Sequence, residues 1–315
     1  MPTMDDSVSA ALSIQGDALR FVELRRQDGD EPRLARAGTL RFPFDLGEAL
    51  LREDGTSSHL RRVREALADA LGDTPARTLQ VAIHPPDGYS FFTPISSDVP
   101  VRDRKRQLLQ QTALVTGVRS TKELHLTSET VRTTQDSEGE PFMWVHVLAV
   151  PDAVDRRMGD LVGVLPPREY TWIVSSEAVS RVTARIERAG GSAEEALRPY
   201  TLVVGQYPTH TEYALSRNRD WYHAHYAEEA RSPENRAYFA VGFLNRVGVP
   251  LDGVGRLFVY GVDLDVGAYA PFEQIFGQAP EVLDPVRVVG AGPEPPPDAP
   301  GAFAPCVGAA MGSYL

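Results

Sequence analysis

The sequence predicts an α/β protein built from two similar halves that face each other across a cleft, with a small α+β block inserted into the first half. Three observations predict it. Strand–glycine–strand units stand at Ala11–Leu24 (ALSIQGDALRFVEL), turning near Gly16, and again from Thr201 to Tyr226, near Gly205. Each unit is followed by a helical stretch and an apolar strand, Leu79–His84 in the first half and Arg256–Tyr260 in the second. Between the halves, a stretch beginning at Tyr89 changes to alternating, more polar strands. An apolar strand that reaches a glycine and returns makes a hairpin able to lie close to a phosphate.

In chain order, Ala11–Leu24 reads as a tight hairpin and Arg33–Phe42 as a third strand. Ser58 is placed to cap a helix over His59–Leu71. Leu60, Val63, Leu67, Ala70 and Leu71 keep helical spacing there, and Gly72 ends it. Leu79–His84, stopped by Pro85-Pro86, is positioned to pair in parallel through that helical crossover. The inserted block reads βαββα. It has strand Ser90–Ile95, a helix over Arg102–Thr116 capped by Asp98 and stopped by Gly117, strands Glu123–Thr133 and Phe142–Val150, and a helix from Asp152 carrying Val154, Met158 and Leu161.

Thr171–Ser175 resumes an apolar strand. Ser176 precedes a helix over Glu177–Ala189 with Val179, Val182 and Ile186 on one stripe. In the second half, strands Thr211–Ser216 and Trp221–Tyr226 flank a polar turn. Ser232-Pro233 starts a helix carrying Tyr238, Val241, Leu244 and Val247. A short helix over Tyr269–Phe276, a strand over Val282–Val289, a proline-rich linker at Ala291–Gly301 and a last helix over Ala304–Leu315 complete the chain. The expected partition is 8–88 with 166–199 and 304–315 as the first domain, 89–165 as the inserted subdomain, 200–290 as the second domain and 291–303 as linker.

At 315 residues with 42% apolar content, the chain suits two cores rather than one. No run approaches the ~20 apolar residues of a membrane span. The polar, acidic opening MPTMDDSVSA is not expected to act as a secretory signal. The single cysteine, Cys306, excludes an internal disulfide framework and fits a reducing cytoplasm. A net charge of −11 argues against nucleic acid or anionic lipid as the main partner. Only two of the 32 basic residues, Lys105 and Lys122, are lysines, which fits a GC-rich genome or a high-salt habitat.

No Walker loop, GxGxxG, HExxH, GxSxG or EF-hand spacing is present. His223 and His225 alternate on a strand, as two metal-binding imidazoles would, but no cysteine or carboxylate completes a set. Asp263 and Asp265 read as turn residues before they read as a carboxylate pair. His84 reads as a strand end, and Cys306 as a core thiol. His125 and His146 fall on neighbouring strands without an obvious nucleophile. No catalytic constellation is expected.

The order of these elements resembles the actin-like ATPase superfamily, and within it the type IV pilus assembly protein PilM and its relatives, the cell-division protein FtsA and the cytoplasmic part of the secretion protein GspL. Ala11–Leu24 is similar to the family's first phosphate hairpin, and Phe21-Val22-Glu23-Leu24 keeps its characteristic ending. Leu202–Leu215 is similar to the second phosphate hairpin. Arg256–Gly261 falls where a strand leads to a glycine pair beside adenosine, and Val307–Leu315 resembles the closing helix. The resemblance implies an actin-like (ribonuclease H-like) two-domain fold with a small inserted α+β subdomain.

It also assigns cleft positions, and there the sequence departs from the pattern. Ser13 stands for the expected aspartate, and Gln15 for the glycine, with Gly16 one step on. Gly205, Gln206 and Tyr207 stand for Asp-x-Gly, and Gly261-Val262 for the glycine pair. A side chain at a glycine position keeps backbone N–H groups away from a phosphate, and the lost acids are the expected anchors for magnesium. The resemblance therefore implies a cytoplasmic scaffold of a pilus or type II secretion-like machine, a pseudo-ATPase with no required cofactor. It would bind the short cytoplasmic tail of an inner-membrane partner in the groove between the first domain and the insertion, and so be peripheral to the membrane. The alternatives are an ATP- and magnesium-binding member using Asp17 or Asp263, a sugar- or acetate-kinase-like phosphotransferase, and an FtsA-like filament former. Ala304–Leu315, which lacks any basic residue, argues against the last.

Overall fold

The computed structural model describes residues 8–26, 31–52, 57–118, 120–135, 139–167, 169–190, 198–290, 292 and 295–312. Two five-stranded sheets repeat one topology. The first contains β1 (Val8–Gln15), β2 (Ala18–Arg26), β3 (Pro32–Arg41), β4 (Thr78–Ile83) and β8 (Glu169–Val174), in the order β3-β2-β1-β4-β8. The second contains β9 (Tyr200–Gln206), β10 (Thr211–Arg217), β11 (Asp220–Ala227), β12 (Val254–Gly261) and β13 (Glu281–Val282), in the order β11-β10-β9-β12-β13. In each, three strands meander antiparallel and two more add in parallel. The internal repeat thus extends beyond the two hairpins to whole sheets.

A third sheet, β5-β7-β6, belongs to the insertion: β5 (Tyr89–Ser96), β6 (Leu124–Gln135) and β7 (Pro141–Pro151). It packs a small core of Ile95, Leu108, Val145 and Val147 with α2 (Val101–Thr116).

Period-two alternation sends successive strand residues into different layers. Leu12 and Ile14 join an outer core with α1 (Ser57–Leu71) and α3 (Asp152–Val162). Ala11 and Val22 face a central core that also receives Val203, Ala214 and Phe258 from the second sheet. Leu202, Val204 and Tyr213 face a second outer core with α5 (Pro233–Arg246) and α6 (Ala270–Phe276). The central layer is filled by α4 (Ser175–Gly190) and α8 (Ala304–Met311), and every residue of α8 is buried.

These two helices touch through Gly308, where a Cβ would overlap the backbone carbonyl of Ala178. Gly308→Ala is expected to cost about 1–3 kcal/mol, because the surrounding layer is closed on both sides. Chemical unfolding of the variant measures it, and an unchanged midpoint would show that the helices separate freely.

Several expectations need correction. Val282–Val289 is a two-residue strand followed by α7 (Pro285–Val289), whose start is set by the Asp284 side chain accepting from Arg287 N and by proline at the first position. Asp98 does not cap α2: that helix begins after Pro100 with no side-chain cap. Ser58, the expected cap of α1, lies outside the described side chains. α5 buries Ala237, Ala240, Phe243 and Leu244, so its inner stripe is rotated and Tyr238 is 72% exposed. α3, read with the insertion, packs its Val154, Met158 and Leu161 into the first domain's outer core.

Within the proline-rich stretch, Asp298 accepts from Arg20, Thr39 and Arg41, and Gly301–Phe303 are buried. The segment is therefore fastened to the first sheet. Ser232 caps α5 as expected, accepting from Asn235 N at 3.2 Å.

Candidate functional site

The parallel strands β4, β9 and β12 all run toward one end of the molecule, the end at which open α/β sheets bind ligands. β1 runs parallel to β4, so the cleft positions named from the resemblance all lie at this end, Gln15 and Gly16 at the turn that closes β1. Gly16 makes that turn with φ +58°. Ser13 is one strand pair earlier, 3% exposed, with its hydroxyl 3.3 Å from His84 Nε2.

Gly205 is not in a turn. It sits inside β9, opposite Glu212 and Tyr260, and a Cβ there would lie 2.5 Å from the Tyr260 ring. The glycine therefore makes room for a tyrosine. The turn falls at 207–210 instead, closed by Tyr207 N donating to the His210 carbonyl. Gln206 donates to the Asp263 carbonyl at 2.8 Å and accepts from the Tyr269 hydroxyl at 3.1 Å. Gly261 (φ +119°) lies against Gln206, and Val262 N donates to the Gln206 carbonyl.

The side chains that converge at this end are Tyr207, His84, His210, Glu212, Ser175 and Tyr260. Tyr207 stacks on His210 with ring centroids 4.9 Å apart and meets His84 edge-on at 4.6 Å. Glu212 is fully buried. Its Oε1 lies 2.7 Å from His84 Nδ1 and 3.0 Å from His210 Nε2, and its Oε2 accepts from Ser175 Oγ and Tyr260 Oη, each at 2.7 Å. Burial opposes ionisation of Glu212, but the two imidazoles and their hydrogen bonds outweigh it and hold the carboxyl well below the usual range.

Ser13, His84 and Glu212 stand in the order nucleophile, base and orienting acid. All three are 3% exposed or less, so no substrate reaches Ser13 Oγ, and the chain of contacts is internal to the core. Neither Glu212 nor His210 is expected from sequence, and His84 reads there as a strand end. The one available signal is a carboxylate on the inner face of β10 in register with the apolar Ala214.

The other candidates resolve as structural groups. His223 and His225 pack their rings near Phe243 of α5, and His223 also stacks on Phe92 of the insertion at 4.1 Å. Asp265 accepts from Gly267 N, and Asp263 occupies a left-handed turn. Asp17 is exposed, 3.6 Å from Arg41. Cys306 is buried, with its thiol pushed up to about 12 by burial. His146 hydrogen-bonds Ser90 Oγ at 2.9 Å, and His125 pairs with Asp155.

A second concavity runs between β6 of the insertion and α4. One cavity of about 410 Å³ is lined by Glu129, Glu177, Arg181, Arg188, Arg219 and Asp220. A neighbouring one of about 230 Å³ shares Glu129, Glu177 and Arg181 with it. Its walls balance the two signs of charge rather than gathering acid. Burial pushes Glu177 up to about 7, against the opposing effect of Arg181 at 2.7 Å.

No family profile matches the sequence, and no curated protein matches it. Solved structures match the fold along its length. A chain of the PilM–PilN type IV pilus biogenesis complex superposes with a TM-score of 0.66 at 16% identity, covering 99% of this chain and 100% of that one. A Bacteroides thetaiotaomicron protein with actin-like ATPase fold and unknown function gives 0.53 at 9% identity, over 90% and 95% of the two chains. The cytoplasmic domain of EpsL, an inner-membrane component of the type II secretion system of Vibrio cholerae, gives 0.47 at 9% identity, over 99% and 97%. The fold shared with the first two is the actin-like ATPase fold.

Proposed function

We propose that this chain, an actin-like fold resembling PilM, is a scaffold of a type IV pilus or type II secretion-like assembly machine that works without hydrolysing nucleotide. The observation that carries the reading is the packing at the ends of β4 and β9. Tyr207, His84, His210 and Glu212 fill the place to which the resemblance assigns phosphate, Tyr260 covers Gly205, and Gln206 is spent on the loop after β12. Ser13 and Gly205 stand where magnesium-organising acids are expected, so a metal–phosphate complex would meet neither its usual ligands nor free backbone donors.

In this reading the chain captures the short cytoplasmic tail of an inner-membrane partner and sits at the inner face of that membrane through it. Among the described residues, no helix is long and apolar enough to cross a membrane. The groove between β6 and α4 is the proposed seat of the tail. Glu177 there titrates near neutrality, so a lysine or arginine entering beside it would draw out its charged form. The overall charge of −11 would speed the encounter with a basic tail at low salt.

Calorimetry with Mg-ATP and with basic tail peptides tests both parts. Saturable peptide heat, weakened by Glu177→Gln, with no nucleotide heat at millimolar ATP is the expected pair of results. Micromolar ATP affinity would replace this reading with that of an ATP-binding member. A peptide panel with no saturable binding would remove the scaffold reading.

A further inference from the structure

We propose that His84 Nδ1, His210 Nε2 and Glu212 Oε1 form a site for one divalent transition-metal ion of the zinc class, which fastens the two domains together. The three atoms lie within 4.8 Å of one another, and the residues that carry them are buried. They come from different parts of the fold: His84 follows β4 of the first sheet, while His210 and Glu212 bracket the start of β10 in the second. Two imidazoles and one carboxylate are the donor set that zinc and its neighbours in the transition series prefer, and not the all-oxygen set of magnesium or calcium.

The surroundings support each ligand as a metal site requires. In such sites the second nitrogen of each histidine, and the free oxygen of the carboxylate, are usually held by other groups. Here His84 Nε2 faces Ser13 Oγ at 3.3 Å, and His210 Nδ1 faces Thr209 Oγ1 at 3.0 Å. Glu212 Oε2 is held by Ser175 and Tyr260, which turns Oε1 toward both rings. Without metal the inner nitrogens donate to Glu212; entry of the ion shifts each imidazole to the tautomer protonated on its outer nitrogen, which then donates to the hydroxyl there, so that Nδ1 of His84 and Nε2 of His210 present lone pairs inward.

The nitrogen–oxygen separations of 2.7 and 3.0 Å are a little shorter than the ~3.3 Å between ligands of a tetrahedral site with bonds of about 2.0–2.1 Å. Admitting an ion therefore requires both imidazoles to draw back from Glu212 Oε1, the His84 ring by about half an ångström and the His210 ring by less, and a water would complete the shell. Because these ligands are closed off from solvent, the ion would enter during folding or by parting of the domains, and chelators would remove it slowly.

The test is refolding of the full chain with zinc, dialysis, and measurement of bound metal, repeated with cobalt for its visible spectrum. One equivalent per chain, a cobalt spectrum of tetrahedral nitrogen–oxygen type and a zinc-dependent rise in melting temperature are expected. His210→Gln and Glu212→Gln should weaken binding about 100-fold or more. If those variants fail to fold, Thr209→Ala, at an exposed turn position, should weaken it about 10–100-fold by freeing the His210 ring. No retained metal after refolding would overturn the proposal. So would binding that Thr209→Ala and the ligand variants leave undiminished, which would place the ion on surface histidines.

Discussion

Replacing Glu212 by alanine is expected to lower the unfolding free energy by about 3–5 kcal/mol, the range for removing one partner of a buried charged cluster. The carboxylate is the common acceptor of His84, His210, Ser175 and Tyr260. Without it, four buried donors lose their acceptor at once. The loss is larger than the worth of any one hydrogen bond because each stranded group retains its full desolvation cost. Glu212→Gln keeps the shape and two acceptor lone pairs, so it should cost less, about 1–3 kcal/mol. Urea unfolding of both variants beside the parent chain measures the difference. A loss under about 1 kcal/mol for the alanine variant would mean that the cluster collapses without penalty and does not hold the domain interface.

The second large effect is on pH dependence. His146 on β7 is buried against Phe92 and Trp221, and burial, reinforced by nearby His223, lowers its pKa from 6.5 to about 3. The unfolded chain therefore takes up this proton at a higher pH than the folded one. The stability tied to the neutral ring is fully present above pH 6.5 and is lost as pH falls toward 3, at about 1.4 kcal/mol per unit. His223 is shifted the same way by burial, to about 4, and adds to the slope. Between pH 6.5 and 5, His146 alone should remove about 2 kcal/mol. His146→Gln keeps a partner for Ser90 and cannot charge, so its stability profile should be flatter by that amount. Parallel profiles for parent and variant would refute the assignment.

The strands and their repeat are legible in the sequence because each is a local statement. Alternation at 201–204 and 211–215 places every side chain on its layer, and Ser232-Pro233 marks the start of α5 without reference to the rest of the chain. The cluster around Glu212 is not legible in the same way. His84 and Glu212 are 128 residues apart and meet only when the ends of β4 and β10 face each other across the central layer. Gly205 misleads for a related reason: its missing side chain accommodates Tyr260, a contact that pattern alone does not reveal. At 282–289 the apolar composition suggests a strand, yet Asp284-Pro285 carries the local marks of a helix start, and those marks prevail.

The place of α8 has a consequence for the order in which the molecule is made. β1 is synthesised long before α8, and its inner face stays uncovered until residues 304–311 exist. Ser9 reaches its acceptor, the carbonyl of Ala310, only across 301 positions of chain. The first sheet therefore completes its core after the second sheet has been built, so a nascent chain carries an exposed apolar sheet face while all the residues between β1 and α8 are made. Such a protein depends on rapid closure by α8, or on a chaperone, to avoid aggregation.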